Sequence, residues 1–166
     1  MDTGPRSGAN VRTCIGDLLS DDAEALVNPV NCMGLIEPRL AGRIRSRWPE
    51  HLRAYLALCR KRRLEPGLLL VTQAADTGQR LIAFPAHRHW SETPRLDDID
   101  AGLLTLRQLL SEGRIASIAI PPIGCGIDGL DWHRVRLRIV AALGRLGVEL
   151  RLYEPIPEVP ALRQIA

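Results

Sequence analysis

The stretch Ser117–Trp132, SIAIPPIGCGIDGLDW, decides how the rest of the chain is read. Ser117–Ile120 is short, apolar and β-branched, the pattern of a buried strand. Pro121 and Pro122 end it. Gly124, Gly126 and Gly129 then open three positions to backbone angles that other residues resist. Asp131 is an N-cap candidate for an arginine-rich amphipathic helix beginning at Trp132. Strand, glycine loop and helix start, in that order, form a layout that holds phosphate. Bare backbone N–H groups approach the oxygens, and the helix N-terminus favours negative charge. The glycine spacing matches a dinucleotide fingerprint in letters alone, since two prolines precede it, Cys125 sits inside it and no acidic residue closes a following strand. No Gly-Lys-Ser/Thr follows, so it is not a P-loop either. A glycine-rich turn without a ligand is the plain alternative.

Working outward, 166 residues with 46% apolar and 25% charged side chains describe one globular domain with a sizeable core. No secretory leader and no bilayer-length apolar run are visible, so a cytoplasmic location and no membrane partner are expected. Cys14, Cys32, Cys59 and Cys125 form no CxxC pair and have no histidine at ligand spacing. Free thiols, no metal and no other cofactor are the expectation. The net charge of +3 permits contact with nucleic acid without requiring it. Lys61 is the one lysine among 22 lysines and arginines, so any lysine chemistry must use it or be absent.

In chain order, residues 1–10 are small and polar and read as a disordered lead-in. Val11–Ile15 and Ala25–Val27 read as strands. Leu40–Trp48 and Glu50–Arg60 read as helices broken at Pro49, with Leu52, Tyr55, Leu56 and Cys59 at helical spacing. The cluster Arg60-Lys61-Arg62-Arg63 either complements the helix dipole or meets a nucleic-acid backbone. Leu68–Thr72 and Leu81–Phe84 suggest a hairpin. Leu96–Ser111 is a helix with Ile99, Leu103, Leu106 and Leu110 on one face. Arg134–Leu146 is another, with Val135, Ile139, Ala142 and Leu143 inward, and Val148–Tyr153 is the last strand. Residues 156–166 form a proline-spaced tail. Alternating strands and helices with a central hairpin predict an α/β fold, a three-layer α/β/α sandwich on a mixed sheet of about six strands, spanning residues 11–155.

Four segments carry a family resemblance. PPIGCGIDGLDW resembles the second substrate loop of macrodomains, the ADP-ribose-binding family. GDLLSDDAEALVNPVN resembles their opening, a Gly-Asp pair and then a strand ending in a VNxxN pattern. FPAHRHW, Phe84–Trp90, is similar to FPTKxHW of the DarG-type DNA ADP-ribosyl glycohydrolase antitoxins, and Tyr153-Glu154-Pro155 is similar to their LYEP end. The human terminal ADP-ribose protein glycohydrolase belongs to the same branch.

The resemblance implies roles. Asp17 would accept from the adenine amine, and Asn31, with Asn28 on the same segment, would meet the distal ribose. A carboxylate suits an exocyclic amine, and an amide can both donate to and accept from sugar hydroxyls. Otherwise Asp17 is a turn residue and the asparagines are strand-end caps. Cys32–Arg39 would form the first substrate loop, with Gly34 and Leu35 meeting the ligand, and Ile123, Gly124, Cys125, Gly126 and Ile127 would meet it from the second. Cys32 and Cys125 either approach the ligand or pack as small buried groups. Tyr153 either lines the adenine pocket or packs under the sheet.

Two departures from the family pattern matter. In the first loop the family's glycine-lysine-glycine run is replaced by Glu37, Pro38 and Arg39. At the family's catalytic lysine this chain has His87, a residue suited to acid–base work near neutral pH. Asp128 coincides with a catalytic aspartate of the human enzyme, or else it is a turn residue. Two functions follow from the resemblance. One is an ADP-ribosyl glycohydrolase acting on modified DNA (thymidine) or acidic protein side chains, with Asp128 and His87 catalytic. The other is a non-catalytic ADP-ribose reader. The implied partners are ADP-ribose, ADP-ribosylated DNA or protein, and an ADP-ribosyltransferase toxin counterpart, with the chain itself a monomer.

Overall fold

A computed structural model describes residues 10–157. The expected lead-in up to residue 9 and the tail from residue 158 lie outside the described residues. In chain order the elements are β1 (Val11–Cys14), a 3-10 turn (Leu18–Ser20), β2 (Ala25–Asn31), α1 (Leu40–Arg47), α2 (Pro49–Arg60), β3 (Leu70–Gln73), β4 (Arg80–His87), α3 (Leu96–Glu112), β5 (Ser117–Ile120), α4 (Trp132–Leu143) and β6 (Glu149–Tyr153). The strands form one sheet in the order β1-β6-β5-β2-β4-β3. Every pair is parallel except β3 with β4. The α/β/α sandwich with a mixed six-stranded sheet is therefore the fold, and the central hairpin is β3–β4.

Alternation along the strands sorts residues to the two faces. Ala25 and Val27 of β2, Ile82 and Phe84 of β4, and Ile118 and Ile120 of β5 pack with the inward faces of α3 and α4 in one large apolar cluster. Ile99, Leu103, Leu106, Leu110, Val135, Ile139 and Leu143 are all buried there, as helical periodicity predicts. Phe84 fits because α3 presents Gly102 to it. A Cβ at Gly102 would lie 2.3 Å from the ring, so the helix backbone itself is the packing surface. On the other face, Leu26 packs with Ile44 of α1, and Val30 with Tyr55 of α2, in two smaller clusters.

Between those clusters lies a buried polar row. Asn28 Nδ2 is 3.4 Å from His51 Nε2, and His51 Nδ1 is 2.6 Å from Thr72 Oγ1. The inward face of α2 is thus His51 and Tyr55, with Leu52, Leu56 and Cys59 only partly buried beside them.

The second strand is longer than its sequence suggests. It continues through Asn28-Pro29-Val30 to Asn31, four residues past the expected Ala25–Val27. β5 pairs with β2 only at Ala25 and Leu26, because Pro121 follows Ile120. Beyond Leu26 the ladder on that side has ended, which is where an inner strand tolerates proline. On that side the later residues of β2 have no partner in β5. On the other side β2 runs on against β4, with a register shift at Val30/Asn31 that places Asn31 opposite His87.

Candidate active site

Because the inner strands are parallel, their carboxyl ends share one edge, and ligands of open α/β sheets bind there. Asp17 follows β1, Asn31 ends β2, His87 ends β4, Ile123–Asp128 follow β5 and Tyr153 ends β6. The structure brings all of these to that edge.

The second loop is shaped by its own backbone. Leu130 N–H donates to Gly124 O at 2.7 Å, and Gly129 N–H donates to Gly126 O at 2.9 Å. Its three glycines serve different needs. Gly124 has φ +69°, closed to most side chains. Gly129 is crowded, since a Cβ there would lie 2.4 Å from Gly124 O and 2.8 Å from Gly126 N. Gly126 has neither constraint, and a Cβ there would meet nothing within 4 Å. The fold does not require glycine at 126; the residue leaves bare backbone facing open space. Asp131 then caps α4 by accepting from His133 N–H at 2.7 Å. Asp128 is exposed at the loop's crest with φ +55°, a conformation aspartate tolerates better than most residues. Ile127 beside it is 72% exposed, whereas Ile123 is wholly buried and anchors the loop in the core.

The first loop is shaped by side chains. Asn31 is 6% exposed. Its Oδ1 accepts from Met33 N–H at 2.9 Å and Leu35 N–H at 3.2 Å, and its Nδ2 donates to Leu35 O at 2.8 Å. Tyr55 Oη donates to Asn31 O at 2.7 Å. Gly34, at φ +80°, packs against Leu56 and Cys59. The amide of Asn31 is therefore engaged in holding Met33–Leu35 in place, and Met33 and Leu35 face outward. Asn28, three residues back along β2, keeps a buried Oδ1 with no hydrogen-bond partner.

His87 is half-buried, and burial lowers its pKa while the nearby Glu37 carboxylate opposes that shift. The imidazole is thus biased toward its neutral form, able to accept a proton. Burial pushes the Cys32 thiol up to about 11 and the Cys125 thiol up to about 12, so neither is a thiolate nucleophile at neutral pH. All four cysteines are free thiols, and the described residues hold no cluster of three or more metal-ligating side chains. Lys61 caps the end of α2.

Asp17 is held low, to about 2, chiefly by its hydrogen bonds with Arg43. Tyr153 donates to Asp21 Oδ2 at 2.6 Å, and Asp21 also pairs with Arg151 at 2.6 Å. The Tyr153 hydroxyl is thereby tied to the segment under the 3-10 turn. Sequence reading missed Arg43, His51 and Thr72. The helical spacing from Tyr55 back to His51 was the one available signal for the polar row.

A family model for the macro domain matches residues 27–139. A DNA ADP-ribosyl glycohydrolase of Mycobacterium tuberculosis is 41% identical over 146 residues, 84% of this chain and 41% of that protein. The macrodomain of Mycobacterium tuberculosis DarG superposes with a TM-score of 0.84 at 38% identity, covering 88% of this chain and 98% of that one. Thermosipho africanus DarTG in complex with ADP-ribose superposes with a TM-score of 0.79 at 26% identity, covering 93% of this chain and 46% of that one. A Thermosipho africanus DNA ADP-ribosyl transferase–DNA ADP-ribosyl glycohydrolase fusion protein is 26% identical over 164 residues, 89% of this chain and 42% of that protein. The chain spans about two fifths of the length of the curated relatives it matches.

Proposed function

Because this chain belongs to the macro domain family, we propose that it binds ADP-ribose at the carboxyl edge of its sheet and hydrolyses the bond joining ADP-ribose to a DNA base. The observation that carries this reading is Gly126. Its bare backbone faces open space in a loop whose other two glycines are accounted for by the fold. A diphosphate fits that vacancy, with the amides of Gly124, Gly126 and Ile127 as donors, since Cys125 N–H already donates to Pro122 O. Asp17 takes the adenine amine, Asn31 positions the first loop around the distal ribose, and Tyr153 borders the adenine end. Thymidine in DNA is preferred over acidic protein side chains as the attachment point, because relatives across most of this chain's length are DNA enzymes by name.

The reaction adds water to the anomeric carbon of the distal ribose. The carbon–nitrogen bond to the base breaks, and the leaving nitrogen takes a proton. Asp128, at the exposed crest of the second loop, serves as the acid–base group, and His87 orients the distal ribose. An imidazole forms no stable imine with an opened sugar, so no covalent intermediate of the lysine type arises here. The chain works as a cytoplasmic monomer that reverses the action of an ADP-ribosyltransferase counterpart. Among the described residues no helix is long and apolar enough to cross a membrane.

The test is release of free ADP-ribose from ADP-ribosylated single-stranded DNA and from glutamate-ADP-ribosylated protein. Turnover of the DNA is expected. Asp128→Ala should lower it by a factor on the order of 10² with ADP-ribose binding retained. His87→Ala should be milder, and His87→Lys should raise activity. Binding without turnover of either substrate would replace the enzyme by a reader of ADP-ribose.

A further inference from the structure

The Asp17 carboxylate, assigned above to the adenine amine, is already fully occupied. Its Oδ1 accepts from Leu19 N–H at 3.1 Å and from Arg43 Nη1 at 2.9 Å. Its Oδ2 accepts from Ser20 Oγ at 3.3 Å and from Arg43 Nη2 at 2.6 Å. A carboxylate offers about four lone-pair positions, and all are taken. An incoming amine must therefore replace one of these donors.

The three donors are not equally replaceable. Leu19 N–H belongs to the 3-10 turn that Asp17 caps. Ser20 lies along a different surface depression, with Leu19, Asp22 and Arg47. Arg43 comes from α1 and lines a cavity of about 530 Å³ bounded by Ile36 and Pro38 of the first loop. It thus reaches the carboxylate from the side on which the first loop stands. Its pair with Asp17 is exposed, 56% and 37% for the two side chains, so opening it costs little despite the paired geometry.

We propose that Arg43 competes with the adenine amine for the Asp17 carboxylate, and so sets how strongly this site selects adenine. The inference rests on the assignment of Asp17 to adenine. With Arg43 in place, part of the amine's contribution to binding is offset by the bidentate pair it displaces. A base without an exocyclic amine leaves the pair closed and loses less by comparison.

The experiment is calorimetric titration of ADP-ribose, and of its analogue carrying unsubstituted purine in place of adenine, into wild type, Arg43→Met, Arg43→Gln, Ser20→Ala and Asp17→Ala, each checked by its melting temperature. Both Arg43 variants should bind ADP-ribose about two- to fivefold tighter than wild type, the range an exposed ion pair converts to. They should bind the purine analogue as wild type does, and Ser20→Ala should change neither ligand. An equal gain for both ligands, an unchanged or weakened affinity for ADP-ribose, or a gain that appears in Ser20→Ala instead would overturn the competition. If wild type binds ADP-ribose and Asp17→Ala loses affinity while the Arg43 variants stay level, only this inference falls. If wild type does not bind ADP-ribose, the reading of the whole site falls with it.

Discussion

The two loops at the carboxyl edge of the sheet are built in opposite ways. The loop after β5 is closed by backbone hydrogen bonds between Gly124, Gly126, Gly129 and Leu130, and what it offers a ligand is backbone. The loop after β2 is closed by the Asn31 side chain and by Tyr55 reaching from α2, and what it offers is Met33, Leu35 and the residues that follow. A backbone loop depends on where a Cβ is forbidden. A side-chain loop depends on a distant helix and on the polar row beneath it. The first kind fails abruptly under one substitution, and the second loosens by degrees.

The largest combined loss of stability and binding should come from Gly129→Ala. Its Cβ would meet three backbone atoms of the same loop at under 3 Å, so the loop must move off its conformation. Overpacking of this kind costs about 1–3 kcal/mol, and ADP-ribose binding should fall by at least ~100-fold, as the donors no longer converge. Near-normal melting and binding in this variant would mean that the loop is not rigid.

That contrast also explains what could be read from the letters. The second loop was legible because its constraints are glycine and proline constraints, and these are written at the positions they act on. The sheet, the hairpin and the inward faces of α3 and α4 were legible for a similar reason, since alternation and helical spacing are local. The continuation of β2 through Pro29 was not, because it depends on β5 stopping early. Arg43 and His51 were hidden in an arginine-rich helix and a helix face read as apolar. Their meaning comes from Asp17 and Asn28, which lie 26 and 23 residues away in the chain. Asn31 was read as a candidate site residue, but its engagement with Met33 and Leu35 becomes visible only in three dimensions.

Acid should separate the two loops next. Burial holds His51 down to about 4, against an ordinary value of 6.5. The unfolded chain therefore binds a proton that the folded chain does not, and stability is lost as pH falls from about 6.5 toward 4. The loss is on the order of 2–3 kcal/mol at the bottom of that window. His87, lowered in the same direction, adds to it with the same sign. Asp17 acts only further down, because its own contribution disappears as pH falls from 3.8 toward about 2. Hydrogen-exchange protection, taken relative to the intrinsic rate at each pH, should fall from pH 7 to pH 5 at residues 32–39 more than at residues 124–130. Equal falls would mean that the His51 row does not support the first loop. His51→Gln should flatten the stability profile between pH 6.5 and 4, and an unchanged slope would contradict the assignment.

Smaller again is Tyr55→Phe. It removes the hydroxyl that meets Asn31 O while keeping the ring in its cluster, and should cost about 1 kcal/mol. ADP-ribose affinity should drop only a few-fold, since Asn31 still holds Met33 and Leu35. A complete loss of binding would show that the first loop is as brittle as the second.

The most direct measurement is a titration of ADP-ribose into wild type and Gly126→Val. Gly126 has open space where a Cβ would go, so the variant should fold and melt like wild type. The valine side chain would fill the place assigned to the diphosphate, and the heat of binding should vanish. Wild-type affinity in Gly126→Val would contradict the account, because the phosphates would then lie elsewhere than on the bare backbone of the second loop.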